Sequence, residues 1–257
     1  MKTKNIQRVA LVGGGVIGSG WATRCLAHGL SVVVTDPSPA AAEMVLKTVD
    51  SAWPILEEAG LDEKADRSKL EFAPDIETAV ADVDFVQENV PEREDLKIAV
   101  HEEIGRHAKG DIVVASSSSG LLPSRLQSRC RRPERLVIGH PFAPVYLLPL
   151  VEVVGGEQTS LDCVSAAGAF HGTKIGLHLD ETKNITCPVS YHFGSIDNSI
   201  PLDEVNAIKD SYAGHPNAEI SVYDGQAHNF STPGKPAYDP EIAKVSRDAV
   251  LRCFKNM

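Results

Sequence analysis

The sequence has none of the features typical of a membrane protein, a secreted protein or a nucleic-acid-binding protein. No stretch reaches the roughly 18 apolar residues of a membrane-spanning helix. The apolar run at 9–12 ends at a triple glycine, which makes it too short for a signal peptide. There are 25 Lys and Arg against 35 Asp and Glu, so the formal net charge is −10. Because nucleic acids and anionic membranes bind cationic surfaces, we expect neither as a partner.

Paired cysteines are also missing. The chain has 5 Cys, widely spaced and never in the pattern C-x-x-C that would suggest zinc or a dithiol. We therefore predict no metal site, and we interpret the cysteines as reduced thiols of a cytoplasmic protein. With 257 residues, of which 42% are hydrophobic, the chain can bury one large or two modest cores. An enzyme that acts on a small-molecule substrate fits these properties best.

What the sequence does have is an alternation of short β-branched runs with longer amphipathic segments. Strands are predicted at 9–12, 31–35, 85–88, 112–116, 136–138 and 151–154, and helices at about 16–29, 39–59 and 92–108. This order predicts an α/β fold with a doubly wound, Rossmann-type parallel sheet.

The character of the chain changes after 155–156, where His, Pro, Asp and Asn become frequent. Two more strands are predicted at 189–193 and 219–223, and a helix is predicted near 240–255. We accordingly divide the chain into a first domain, 1–163, and a second part, 164–257.

A glycine motif of the form G-x-G-x-x-G directly follows the first predicted strand. Gly13 permits the tight turn, Gly15 lets a diphosphate approach the backbone, and Gly18 permits close packing of helix on strand. Val16 and Ile17 open the helix, whose free N–H groups would face the phosphates. Because the motif stands between a strand and a helix, it predicts a dinucleotide site.

Asp36 ends the second predicted strand, where an acidic side chain typically accepts hydrogen bonds from the adenosine ribose. Its carboxylate would repel a 2′-phosphate, so NAD is favoured over NADP. The alternative is a turn aspartate in Asp36-Pro37-Ser38, beside a glycine turn that binds nothing.

Taken together, the segments 12–21, 87–97, 115–120 and 139–156 resemble the L-3-hydroxyacyl-CoA dehydrogenase family, and within it the L-carnitine dehydrogenase branch. The resemblance covers residues 6–156. It implies an NAD-dependent oxidoreductase that moves a hydride between a carbon bearing a 3-hydroxyl group and the nicotinamide. L-carnitine or a 3-hydroxyacyl thioester is the implied substrate, and a homodimer is the assembly that the resemblance suggests.

The resemblance also assigns roles to single residues. His140 would be the general base that removes the hydroxyl proton. Glu152 would orient the His140 side chain and stabilise its charge, and Ser119 would hydrogen-bond the reacting oxygen. Glu92 and Lys97 match positions beside the nicotinamide ribose. An imidazole suits proton transfer near neutral pH, and a carboxylate partner fixes its tautomer. Taken singly, the histidine could equally be a turn residue and Glu152 a surface residue.

Two departures from the family pattern leave an alternative open. Ala143 stands where the family usually has asparagine, so an amide is missing from the implied pocket. The all-helical domain that follows in such enzymes has no counterpart in the sequence. The alternative is an NAD-binding protein without a complete catalytic pocket.

Residues from about 166 to 257 resemble the last third of dienelactone hydrolase, an α/β-hydrolase family, in the segments 169–172, 187–201 and 223–230. In that family, residues matching Asp197 and His228 belong to a Cys-His-Asp triad. The nucleophile elbow, G-x-C-x-G or G-x-S-x-G, occurs nowhere in the chain. We therefore predict a smaller α/β-hydrolase-like fragment with a relic pair. We interpret the chain as a fusion, natural or engineered, or as the product of a faulty gene model. A hydrolase is a third alternative, for which no nucleophile is found.

Overall fold

A computed structural model describes residues 6–148, 150–160, 163, 167–170, 172–173, 175–185 and 187–255. Its contacts divide the chain after Cys163 into an N-terminal unit and a C-terminal unit. Among the described residues, no helix is both long enough and apolar enough to cross a bilayer.

The N-terminal unit is built on a seven-stranded sheet in the order β3-β2-β1-β4-β5-β6-β7. The strands are β1 (Arg8–Val12), β2 (Ser31–Thr35), β3 (Leu70–Phe72), β4 (Phe85–Glu88), β5 (Val113–Ser116), β6 (Leu136–Pro141) and β7 (Val151–Gly155). Strands β1 to β6 run parallel. The strand order reverses between β1 and β4, and doubly wound sheets bind their ligands at such a reversal.

Helices cover both faces of this sheet. They are α1 (Val16–Ala27), α2 (Ala41–Ala59), α3 (Ile76–Val80), α4 (Glu94–His107) and α5 (Pro123–Leu126). Successive residues of a strand point to opposite faces. Accordingly, Val9 and Leu11 of β1 pack in the core formed with α1 and α2, whereas Ala10 and Val12 pack with α3 and α4. The predicted doubly wound α/β fold is confirmed.

Strand β7 departs from the purely parallel sheet that the sequence predicted. It pairs antiparallel with β6 and forms one edge of the sheet. A parallel connection needs a crossover of about a dozen residues or more, and residues 142–150 provide fewer. All five residues of β7 are exposed, including Val151, Val153 and Val154.

The C-terminal unit has its own three-stranded parallel sheet in the order β10-β9-β8. Its elements are β8 (Ala167–Phe170), β9 (Val189–Gly194), α6 (Leu202–Ser211), β10 (Ala218–Tyr223) and α7 (Pro240–Lys255), with a 3-10 stretch at Ile175–Asn184. Phe193, Ile200, Val205 and Ile208 are fully buried in one cluster. This unit is therefore an α/β structure with a core of its own.

Candidate cofactor and active site

The loop between β1 and α1 is shaped by its glycines. Gly13 has a φ of +103°, which L side chains rarely adopt, and its N–H donates to the carbonyl oxygen of Thr35 at 2.8 Å. A side chain at Gly18 would overlap the carbonyl oxygen of Gly13. A Cβ built on Gly15 would meet nothing within 4 Å. The loop thus leaves open space over its backbone where the helix begins.

Helix α1 begins at this open space without a side-chain cap at Gly15. Val16 is exposed and Ile17 half-buried. The N–H groups of a first turn have no acceptor within the helix, and a helix N-terminus attracts anions. A diphosphate fits these two features, since it would occupy the open space and accept hydrogen bonds from the free N–H groups.

Asp36 ties the end of β2 to the glycine loop. Its Oδ2 accepts a hydrogen bond from the N–H of Gly14 at 2.7 Å, and its Oδ1 accepts one from the N–H of Ser38 at 2.8 Å. An ionised carboxylate has about four acceptor positions. Each oxygen of Asp36 therefore retains an acceptor position for a ribose hydroxyl.

Glu92 joins the loops that follow β4 and β5. Its Oε1 accepts hydrogen bonds from Ser118 Oγ at 2.6 Å and from the N–H groups of Ser119 and Gly120 at 2.9 and 3.1 Å. Its Oε2 lies 3.5 Å from Lys97 Nζ. Burial alone would raise the pKa of Glu92, but these hydrogen bonds and the lysine charge outweigh it, so the pKa lies below its ordinary value.

Beneath these loops lies a buried carboxylate that the sequence analysis missed. Glu88, the last residue of β4, is fully buried and contacts Lys97, His101 and Ser116. A signal for it was present, because a charged residue at the end of a buried strand is rarely left without a partner. The positively charged partner was also visible as Lys97, which lies on the following helix.

The antiparallel register of β6 and β7 places Glu152 directly opposite His140. Nδ1 of His140 lies 3.7 Å from Glu152 Oε2, which is longer than a hydrogen bond. Among the described residues, this nitrogen has no hydrogen-bond partner. The side chain of His140 is 28% exposed and that of Glu152 is 63% exposed. Water therefore screens the attraction between the two groups.

Ser119 follows the carboxyl end of β5 and His140 lies at the carboxyl end of β6. These two strands are neighbours, since Ser116 of β5 pairs with Ile138 of β6. The side chain of Gln87, on β4, bridges these two strand ends. Its Nε2 donates to Ser117 Oγ at 2.8 Å and to the carbonyl oxygen of Gly139 at 3.0 Å. Three adjacent strands are thus fixed to one another at the edge of the sheet that carries the glycine loop.

The loop after β6 returns to helix α1. Val145 is buried and packs so closely on Gly20 that a Cβ there would lie 2.8 Å from the Cβ of Val145. Arg24 Nη1 donates a hydrogen bond to the carbonyl oxygen of Tyr146 at 3.3 Å. Ala143, where the family has an amide, is exposed. The segment that follows His140 is thereby fixed to the helix of the glycine loop.

In the C-terminal unit, Asp197 and His228 form a hydrogen-bonded pair. Nδ1 of His228 lies 2.8 Å from Asp197 Oδ2, and Asp197 Oδ1 accepts a hydrogen bond from the N–H of Ser199 at 2.8 Å. The carboxylate is fully buried and the imidazole is 31% exposed. The hydrogen bond fixes the orientation of an imidazole that is partly exposed, although the sequence supplies no elbow for a nucleophile.

The strand order and the glycine loop at its reversal point define the N-terminal unit as a dinucleotide-binding domain of the Rossmann type. Residues 8–176 match the family described as 3-hydroxyacyl-CoA dehydrogenase, NAD binding domain, and residues 155–257 match the dienelactone hydrolase family. The chain therefore belongs to the NAD-binding domain family of the 3-hydroxyacyl-CoA dehydrogenases. Both predicted resemblances are confirmed, and so is NAD as the cofactor.

The curated relatives include L-carnitine dehydrogenases. The one from Burkholderia mallei is 56% identical over 162 residues, which are 63% of this chain and 50% of that protein. The one from Staphylococcus epidermidis is 54% identical over 153 residues, which are 60% of this chain and 48% of that protein. The chain thus spans about half the length of these relatives.

Solved structures of related enzymes are also similar to this chain. The (S)-3-hydroxybutyryl-CoA dehydrogenase of Ralstonia eutropha is 32% identical with a TM-score of 0.56, and the match covers 61% of this chain and 56% of that one. The 3-hydroxybutyryl-CoA dehydrogenase of Escherichia coli K12 is 26% identical with a TM-score of 0.57, and the match covers 62% of this chain and 34% of that one.

Proposed function

We propose that this protein is an NAD-dependent dehydrogenase of a 3-hydroxy acid. The observation that carries the proposal is the position of Ser119 and His140 on neighbouring strand ends, at the same edge of the sheet as the glycine loop. In doubly wound sheets this edge is the ligand-binding edge.

Each part of the site would hold a different part of the cofactor and substrate. NAD supplies the hydride acceptor when it is bound. The N–H groups at the start of α1 hold the diphosphate, and Asp36 accepts hydrogen bonds from the adenosine ribose. Glu92 would lie beside the nicotinamide ribose, and the buried Lys97 would support it from behind. These roles are supported by the open space at Gly15 and by the acceptor positions left on the carboxylates.

The proton of the substrate hydroxyl is removed by His140, and Ser119 donates a hydrogen bond to the same oxygen. Glu152 faces the Nδ1 side of the imidazole, so it favours the tautomer that leaves Nε2 free to accept the proton. Once the imidazole is protonated, the carboxylate at 3.7 Å stabilises its charge. Because Glu152 is largely exposed, this stabilisation is small.

L-carnitine is the substrate that we favour over a 3-hydroxyacyl thioester. The relatives that are 56% and 54% identical are L-carnitine dehydrogenases. Aromatic rings bind a trimethylammonium group well, and Phe142 lies next to the proposed base, with 5.8 Å between its ring centre and that of His140. Phe142 is exposed and so has a free surface for such a group.

A direct assay tests this proposal. The unmodified protein is incubated with NAD and either L-carnitine or 3-hydroxybutyryl-CoA, and NADH formation is followed by absorbance, while NADH binding is measured by fluorescence titration. We expect binding and turnover with L-carnitine. Turnover with the thioester alone would contradict the substrate assignment, and a failure to bind NADH would contradict the whole proposal.

A second candidate function is NAD binding without dehydrogenase activity. It is favoured by Ala143, which is exposed and supplies no amide in the loop that follows the proposed base. Tight NADH binding with no turnover on either substrate would support it.

A cytoplasmic location and a homodimer stay predictions. Fractionation of cells would test the location, and size-exclusion chromatography would test the assembly.

A further inference from the structure

We infer that Glu88 is a positioning residue for the nicotinamide half of the cofactor site, and that it acts through Lys97 and Ser116. The inference rests on the proposed roles of Glu92, Lys97 and Ser119 in the preceding section. Glu88 itself has no part in those roles, and nothing in the resemblance assigns it one.

Glu88 is surrounded by donors from several elements. Its Oε1 accepts hydrogen bonds from Lys97 Nζ and from the N–H of Val90, both at 2.7 Å. Its Oε2 lies 2.5 Å from Ser116 Oγ and 3.0 Å from His101 Nε2. Since a carboxylate has about four acceptor positions, all of them are used. Glu88 therefore has no acceptor left for the cofactor and can influence it only through its neighbours.

The first route from Glu88 to the site runs through Lys97. This lysine is 1% exposed, and its ammonium group donates to Glu88 and to the carbonyl oxygen of Val90 at 3.0 Å. The remaining direction faces Glu92 Oε2 at 3.5 Å. A lysine side chain has many rotamers, so its position depends on these partners. Glu88 thus fixes the charge that faces Glu92, and Glu92 holds the N–H of Ser119.

The second route runs through Ser116. Its hydroxyl donates to Glu88 and accepts a hydrogen bond from the N–H of Ser118 at 3.3 Å. Ser118 also donates to Glu92 through its own hydroxyl. The loop at 117–120 after β5, which we call the serine loop, is therefore held from two sides, and both sides depend on Glu88.

The charges around Glu88 support an ionised carboxylate. Burial alone would raise its pKa, but the hydrogen bond and charge of His101 and the ammonium group of Lys97 outweigh burial, so the pKa lies below its ordinary value. Nδ1 of His101 has no hydrogen-bond partner among the described residues. Without the charge of Glu88, Glu92, whose side chain is 40% exposed, would be the one counter-charge that the described residues leave to the buried ammonium group.

The test compares two ligands on the same variant. ADP contacts only the proposed adenosine and diphosphate subsites, whereas NADH also extends into the nicotinamide half. Glu88→Gln preserves the shape of the side chain and removes its charge. We expect the NADH affinity to fall by roughly tenfold, because hydrogen bonds between charged groups are lost. We expect the ADP affinity, measured by calorimetry, to stay within about twofold of the unmodified protein, because the side chain of Glu88 makes no hydrogen bond with Gly15 or Asp36.

Two further variants make the test decisive. Glu71→Gln removes an exposed carboxylate that binds Arg8, and it should change neither affinity. Ser116→Ala leaves the ion pair intact and should lower the NADH affinity by about two- to threefold with ADP unchanged. If Glu88→Gln does not fold, the ratio of the two affinities in Ser116→Ala decides the question.

Equal losses of NADH and ADP affinity would overturn the inference, since a merely structural role would affect both ligands. An unchanged NADH affinity in folded Glu88→Gln would overturn it as well. The proposed dehydrogenase activity fails in a different way, by an absence of turnover in the unmodified protein. The binding ratio is measured without turnover, so the two failures are distinguishable.

Discussion

The family resemblances single out one pair of a histidine and a carboxylate in each unit, and these two pairs differ in the distance between their side chains and in burial. In the C-terminal unit, 2.8 Å separates His228 Nδ1 from a fully buried Asp197. In the N-terminal unit, 3.7 Å separates His140 Nδ1 from Glu152, which is 63% exposed. The closer and more buried pair is the one that would need a nucleophile elbow to act, and no such elbow occurs in the chain.

A well-formed pair of acid and histidine does not by itself indicate an active site. What distinguishes the N-terminal unit is the set of groups that accompanies its pair: a glycine loop, a serine loop fixed by Glu92, and a buried carboxylate beneath the serine loop. These groups lie at the ends of neighbouring strands. Chemistry requires the whole arrangement, because each group acts on a different atom of the reactants.

The largest expected difference between the pairs is in turnover. His140→Ala should lower any dehydrogenase turnover by roughly 10²- to 10⁴-fold, the usual contribution of a general base. NADH affinity should change little, because the imidazole handles a proton and not the cofactor. His228→Ala is the matched control and should leave turnover unchanged. Turnover within a few-fold of the unmodified protein in His140→Ala would show that His140 is not the base.

The second expected difference is in stability, to which the pair of Asp197 and His228 should contribute more than the pair of Glu152 and His140. Asp197→Ala removes a buried acceptor of two hydrogen bonds, so it should destabilise the C-terminal unit by about 2 kcal/mol. Glu152→Ala should cost less than about 1 kcal/mol, because an exposed ion pair contributes little. Amide hydrogen exchange of β9 and β6 would measure the two effects. Asp224, an exposed aspartate of the C-terminal unit, provides the control Asp224→Ala.

If exchange of β9 is as slow in Asp197→Ala as in the unmodified protein, the buried pair contributes nothing to its unit. The two histidine–carboxylate pairs would then differ only in their effect on turnover.

A smaller effect concerns the cofactor, which only the N-terminal unit is expected to bind. The carboxylate of Asp36 should repel a 2′-phosphate, so the unmodified protein should prefer NADH to NADPH. Asp36→Ala should reduce the difference between the affinities for NADH and NADPH. Asp36→Asn keeps an acceptor for Gly14 and removes only the charge, so it separates repulsion from loop geometry. Equal affinities of the unmodified protein for NADH and NADPH would exclude this role.

The smallest effect is a dependence on pH. The pKa of Glu92 lies below its ordinary value of 4.5 because the hydrogen bonds from the serine loop and the charge of Lys97 favour the ionised form over the neutral one. Its contribution to stability is therefore complete above pH 4.5 and is lost as the pH falls through the lower, folded-state pKa. Glu92→Gln should be less stable than the unmodified protein at pH 7, and the difference should shrink in acid. A constant difference from pH 7 to pH 3 in denaturant titrations would contradict this assignment.

The sequence predicted the fold where the physical signal is local. Strands β1 and β2 are buried on both faces, so each is a continuous apolar run that is easy to recognise. Strand β3 was missed because it has three residues, of which Glu71 and Phe72 are exposed. The direction of β7 was missed because the alternation of side chains is the same in both strand directions. The length of the preceding loop, 142–150, was the available signal.

The same distinction applies to the site. The glycine motif and Asp36 lie within one unit of strand, helix and strand, so their spacing along the chain predicts their proximity. Glu88 and Ser116 are 28 residues apart and meet only because β4 and β5 pair. The contact between Gly20 and Val145 likewise depends on a loop that returns to α1. A single sequence contains no direct signal for such pairs.

The exposed edge strand β7 has a consequence for handling the protein. Its outer side presents backbone N–H and C=O groups along one edge of the sheet, and Val151, Val153 and Val154 are exposed beside them. Such an edge is a template for the addition of a strand from another chain, and therefore a site where aggregation can begin. A lysine in place of Val153 would oppose strand addition by its charge. Light scattering of concentrated samples of Val153→Lys should show slower aggregation than that of the unmodified protein.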